Sequence, residues 1–117
     1  MTTKLVGCVI VAVQLASLSL PGAAAVAQSG IASVYSTESG SRTASGARLN
    51  PSALTAASRT LPLGSRAKVT NRSNGRSVVV TVNDRGPFVR GRIIDVTPAT
   101  ARTLGFSGLA SVTVERE

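Results

Sequence analysis

Residues 77–97 read SVVVTVNDRGPFVRGRIIDVT. SVVVTVN (77–83) is β-branched and predicts a strand, and its three consecutive valines predict a buried, central place for it. Gly86-Pro87 forces a turn directly after it, and GRIIDV (91–96) predicts the next strand. Asp84 therefore falls at the end of one strand and Asp95 at or near the end of the next. They are two of only five acidic residues in a chain with thirteen basic ones, and Arg85, Arg90 and Arg92 lie close to them. Carboxylates at neighbouring strand ends can converge on a cleft. Sharing it raises the pKa of one of them, which suits a general acid at neutral pH. The arginines act the other way and hold carboxylates ionised. A structural reading competes: Asp84 bonds Arg85 or turn amides, and Asp95 bonds backbone N–H groups ahead of a helix start at Thr97-Pro98. On spacing alone, anchoring is the stronger of the two.

The same strand pattern extends outward on both sides. GIASVYS (30–36) predicts a first strand, SRAKVTN (65–71) alternates polar and apolar residues, and ASVTVER (110–116) closes the set. Between 71 and 77, Asn74-Gly75 is a hairpin signal. Two short helices are expected: one where Asn50-Pro51 leads into SALTAAS, and one where Thr97-Pro98 leads into ATARTLG, with Gly105 as its C-terminal cap. The reading is mainly β, with five or six strands and two short helices. STESGSRTASG (36–46) reads as a long loop, either the wall of a groove or a tail following the leader.

A leader is expected over residues 1–27. Lys4 precedes an apolar run from Leu5 to Leu20, and Ala25-Val26-Ala27 fits a cleavage site before Gln28. LVGC (5–8) resembles a lipoprotein box, but Cys8 lies near the start of the run instead of closing it and reads as an ordinary apolar residue of the leader. The expected mature domain, 28–117, then has no cysteine and, like the whole chain, no histidine. This excludes a disulfide framework, a thiol nucleophile, and Ser-His or Cys-His catalysis. No cofactor and no metal is expected. The domain keeps twelve bases, eleven of them arginine, the better side chain for bidentate anion recognition. A cationic, exported domain suits an anionic polymer such as a cell wall, or a membrane surface. Nucleic acid is not expected, for want of a helix-turn-helix, an aromatic-rich strand or a zinc pattern.

Other candidates carry weaker signals. Tyr35 ends the first strand and is a candidate for stacking on a sugar, or for the core or rim. Thr43 and Ser58 are hydroxyls with no histidine to activate them. Arg42, Arg48 and Arg59 flank the loop and the first expected helix, either as solvated surface or as the lining of an anionic groove. Phe88 and Phe106 are expected in the core.

Taken together, TLPLG (60–64), VTN (69–71), NG (74–75), VNDRGPF (82–88) and GRIIDV (91–96), in this order and spacing, resemble the RlpA (rare lipoprotein A) family. GIASVYS and ASVTVE also fit, so the resemblance covers nearly all of 28–117. It implies a small six-stranded double-psi β-barrel related to expansins. It further implies a peptidoglycan lytic transglycosylase that cleaves stem-peptide-free glycan strands between N-acetylmuramic acid and N-acetylglucosamine, leaving 1,6-anhydro products. On this resemblance Asp84 matches the aspartate of the D-R-G-P motif, which is implicated in catalysis, and Asp95 matches the R-I-I-D aspartate, which serves as the acid in related barrels. Tyr35, Thr43, Ser58, Arg59 and Arg85 are the expected substrate-binding residues. The family's glutamate after T-A-N-G falls on Ala47, and its histidine after T-A-A falls on Ser58. Glu38, in the loop, is a candidate stand-in for the glutamate. The alternative is an expansin-like barrel that binds peptidoglycan glycan without cleaving it. A periplasmic or cell-envelope monomer is expected, with no SPOR domain in this chain.

Overall fold

The computed structural model describes residues 27–35 and 42–117. The expected leader lies outside them except for Ala27, and so does Glu38. Six strands and one helix follow in chain order: β1 (Gln28–Val34), β2 (Thr55–Ala57), β3 (Arg66–Asn71), β4 (Ser77–Asp84), β5 (Arg92–Val96), α1 (Pro98–Leu104) and β6 (Leu109–Arg116). The strands close into a barrel in the order β1-β5-β2-β4-β3-β6. Two of the pairings, β1 with β5 and β2 with β4, are parallel, and the other four are antiparallel. Closure leaves no edge strand to template aggregation.

Alternation along each strand fills the barrel. Ala32, Ala56, Ala67, Val69, Val80, Val82, Ile94, Val96, Val112 and Val114 point inward and are buried. α1 caps this core with Ala101 and Leu104. The valine run of β4 is central in one sense only. β4 is paired on both sides, but Val79 stays half-exposed on the outer face while Val80 is buried. A barrel strand has one face in the core.

One expected helix is absent. Asn50 does start a turn: its side chain accepts from Ser52 N at 2.9 Å and its carbonyl from Ala53 N at 3.1 Å. The turn stops there, and residues 55–57 become β2. The reason is tertiary. Ala56 lies opposite Val82 on one side and Val96 on the other. A small side chain is what fits between two valines in a narrow barrel, so strand pairing overrides the helical propensity of Ala-Ala. Phe88 also differs from expectation. It is 79% exposed, whereas Phe106 packs against the core.

The second helix forms as its caps predict. Thr97 Oγ1 accepts from Thr100 N at 3.3 Å and donates to Ala53 O at 2.6 Å, and Pro98 occupies the first turn. The helix ends at Gly105, whose φ is 81°. There the hairpin between β3 and β4 docks onto it: Asn71 and Asn74 both donate side-chain N–H groups to Leu104 O, at 2.9 and 3.0 Å. A Cβ at position 105 would meet Arg76 Nη1 at 2.5 Å and Asn74 Nδ2 at 2.8 Å. Gly105→Ala therefore combines a left-handed backbone cost of about 1 kcal/mol with the displacement of a carbonyl partner, about 1 kcal/mol more. A drop of about 10 °C in thermal midpoint is expected by calorimetry.

Candidate active site

Four strands place one residue each on a single rung. Ser33 of β1 is opposite Asp95 of β5, Asp95 is opposite Ala57 of β2, and Ala57 is opposite Asp84 of β4. Residues in register project on the same side of the sheet. The neighbouring rung, Val34–Val96–Ala56–Val82, includes the buried core residues Val96, Ala56 and Val82, and an irregularity of register between the two rungs brings Asp84, and not Asn83, level with Ala57. Asp84 and Asp95 are two strand spacings apart, about 9–10 Å at Cα. Between them stands only a methyl group, that of Ala57.

Donors converge on Asp84. Its Oδ1 accepts from Ala44 N and Arg85 N, both at 2.8 Å, and its Oδ2 accepts from the Tyr35 hydroxyl at 3.3 Å. Asp95 has a different setting. Burial pushes its pKa above the usual carboxylate value, and the charge of Asp84 pushes in the same direction. A hydrogen bond from Ser33 Oγ (3.0 Å) and the Arg92 guanidinium partly oppose this. The two carboxyl groups thus have distinct environments. Burial, followed by the two aspartates, also raises the pKa of Tyr35. Its hydroxyl stays protonated and remains a donor. Asp84→Asn is expected to lower the Asp95 pKa, because it removes a neighbouring negative charge, and Ser33→Ala to raise it. Carboxyl-carbon NMR titration of both variants checks the two signs.

The remaining expected residues divide by what their polar atoms do. Thr43 is buried, with Oγ1 on Ala47 O at 3.0 Å and on Ser45 Oγ at 2.8 Å. Ser58 is buried, with Oγ accepting from Thr60 N and Leu61 N. Both hydroxyls hold turns in the loops around the rung. Arg85 Nη1 donates to Ser58 O and Leu61 O at 2.8 and 2.7 Å, and Arg59 Nη1 donates to Pro87 O and Arg92 O at 2.7 and 3.2 Å. The two arginines clamp the loops on either side of the acids, leaving part of each guanidinium fork for a ligand. Tyr35, Asp84 and Asp95 are brought together. Thr43 and Ser58 act on backbone beside them.

Ser33 was not singled out from sequence. The signal was there: in a strand of period two, Ser33 shares a face with Tyr35. The loop that supplies Ala44 N is positioned by a bridge between Arg42 and Arg48 and by Ser45 N donating to Asn83 O at 3.1 Å. Among the described residues, no group of three acidic, histidine or cysteine side chains could hold a metal ion.

The sequence profile of the family described as lytic transglycolase, a double-psi β-barrel domain, matches residues 27–115. The chain belongs to this family. Among its relatives is the "Endolytic peptidoglycan transglycosylase RlpA" of Pasteurella multocida, 51% identical over 96 residues, an alignment covering 80% of this chain and 33% of that protein. The corresponding RlpA of Yersinia pestis is 49% identical over 89 residues, covering 75% and 25%. A Nostoc sp. protein named "Probable endolytic peptidoglycan transglycosylase RlpA" is 56% identical over 91 residues, covering 74% and 24%. The chain thus spans about a quarter to a third of the length of these RlpA relatives. The barrel itself is similar to the Streptomyces papain inhibitor (TM-score 0.65, 23% identity, 84% of this chain and 98% of that one). It is also similar to a Clavibacter michiganensis expansin (TM-score 0.63, 19% identity, 79% and 50%). At these identities the two structures bear on the fold alone. The RlpA-type double-psi barrel is the fold of this chain, with one helix in place of the two expected.

Proposed function

We propose that this RlpA domain is an exported peptidoglycan lytic transglycosylase, acting in the periplasm or cell envelope on glycan strands freed of stem peptides. The observation that carries the reading is the Asp84–Ala57–Asp95 rung. In the proposed reaction Asp95, kept protonated to higher pH by burial and by Asp84, donates its proton to the glycosidic oxygen. The C1–O bond breaks and positive charge develops at C1. Asp84, held in place by Tyr35, Ala44 N and Arg85 N, stabilises that charge electrostatically. The substrate's own C6 hydroxyl attacks C1, closing the 1,6-anhydro ring, and its proton returns to Asp95. No carboxylate is needed to activate water, which is the demand that an inverting glycosidase makes on its second acid.

A second reading is favoured by the two positions where the family carries a glutamate and a histidine. Here Ala47 has no functional group, and Ser58 Oγ accepts from two backbone N–H groups. A barrel with these residues could bind glycan through its cationic rim and leave it uncut. Mass spectrometry of stem-peptide-free strands incubated with the domain separates the two. The first reading expects 1,6-anhydro-muramyl ends. Salt-sensitive binding without such ends at high protein concentration supports the second, and absence of binding at low salt removes both.

A further inference from the structure

The chain has only three aromatic residues, one tyrosine and two phenylalanines. One of the phenylalanines, Phe88, is left 79% exposed, and Val89 beside it is 50% exposed. Burying such a ring would stabilise a small barrel by about 2 kcal/mol, and this fold does not take that gain. A lone exposed apolar residue needs no explanation by itself. Phe88 differs because the loop beneath it is fixed. Arg59 Nη1 holds Pro87 O and Arg92 O, Arg92 N donates to Val89 O at 3.1 Å, and Gly91 O accepts from Ile31 N at 3.1 Å. Gly86 is buried with φ 123°, and a Cβ there would lie 3.5 Å from Phe88 Cε2. That distance is ordinary van der Waals contact, so the ring lies against the glycine, and it is the positive φ that favours glycine there.

This fixed loop is the segment that joins the two aspartates. Phe88 is four residues beyond Asp84, at most about 14 Å along an extended chain, and β5 carries the chain from Arg92 to Asp95. The ring thus belongs to the loop that joins the two acids, beside the place where the proposed function seats a glycan groove. We infer that Phe88 is an aromatic platform for one pyranose ring of a glycan strand, in a subsite next to the cleavage point. The inference rests on the proposed reading of the groove as a glycan site. The apolar C–H face of a pyranose fits the negative face of an aromatic ring. The exposed Arg85 and Arg90 on either side match the free lactyl carboxylates that muramic acid carries once stem peptides are gone. One ring and one valine form too small an apolar patch to hold a membrane surface, where stable attachment takes a larger apolar face or a second anchor.

The test measures the affinity of the domain for stem-peptide-free glycan strands by calorimetry, for the natural sequence, Phe88→Ala and Phe88→Trp. Phe88→Ala is expected to bind about tenfold more weakly. Phe88→Trp should bind as tightly as the natural sequence or tighter. Both should melt at an unchanged temperature, since the side chain leaves the core untouched. Where strands are cut, KM should rise in Phe88→Ala with kcat preserved. Equal affinity of Phe88→Ala and the natural sequence would overturn the platform and leave the reading of the groove intact. Failure of the natural domain to bind strands at all would remove both. Phosphatidylglycerol vesicles form the other arm: vesicle binding lost in Phe88→Ala, with glycan affinity unchanged, would make the ring a membrane contact and overturn the inference.

Discussion

Asp95→Asn is expected to slow formation of 1,6-anhydro ends about 100- to 10,000-fold, the usual contribution of a positioned general acid, and to make the domain more stable at neutral pH. The two effects have one origin. Burial and the charge of Asp84 raise the Asp95 pKa above its ordinary value of 3.8. A carboxyl group whose pKa is higher folded than unfolded contributes stability that is full below the unfolded value. That contribution is lost as pH rises through the folded value. Above the unfolded value the natural protein therefore carries Asp95 at a net cost, since folding opposes its ionisation. Asparagine removes the charge while its Oδ1 can still accept from Ser33 Oγ. The stability advantage of the variant should vanish below about pH 3.8 and grow as pH rises through the folded pKa of Asp95. Denaturant melts at several pH values check this, with product analysis alongside. A variant that loses activity and stability together at neutral pH would make Asp95 a structural anchor, the reading that spacing alone favoured. A gain in stability with loss of rate is the mark of a residue kept for chemistry.

How much of this was legible depended on how local each signal was. The strand ends at Asp84 and Asp95, the cap at Thr97, the stop at Gly105 and the turn at Asn74-Gly75 all follow from a few adjacent residues, and each forms as read. The strand β2 did not follow, because Thr-Ala-Ala has no strand signal of its own. It is a strand only because β4 and β5 bond to it from either side. The same non-local fact makes the site. Nothing in the sequence says that Ala57 lies between the two aspartates, and without that register they are simply two acids eleven positions apart. Phe88 was misplaced for a related reason. An apolar residue after a turn is ordinarily core, but here the ring is exposed on a loop held by Arg59, which is distant in sequence. Thr43 and Ser58 read as substrate-binding hydroxyls because the backbone groups that engage them come from turns whose shape the sequence did not reveal.

Ala47→Glu should test whether the acid pair works alone. The site of the change is well defined. Thr43 N donates to Ala47 O at 2.8 Å and Thr43 Oγ1 to the same atom at 3.0 Å, while Ala44 N holds Asp84 Oδ1. Position 47 therefore sits in the same turn that grips Asp84, and its side chain is exposed, so a longer one displaces nothing from the core. The expected result is a rate gain of about 100-fold with stability changed by less than about 0.5 kcal/mol. A third carboxyl group in the turn that grips Asp84 adds negative charge to the site and should also raise the Asp95 pKa further, moving the alkaline fall of the pH–rate profile upward. Ser58→His is a less clean companion. It removes the acceptor for Thr60 N and Leu61 N, at about 1 kcal/mol, so a lower rate there would mix chemistry with loss of fold. Activity that appears only in Ala47→Glu would make the natural domain a glycan-binding barrel one side chain short of an enzyme. A natural rate that Ala47→Glu leaves unchanged would mean that Asp84 and Asp95 suffice, as a reaction whose nucleophile belongs to the substrate allows.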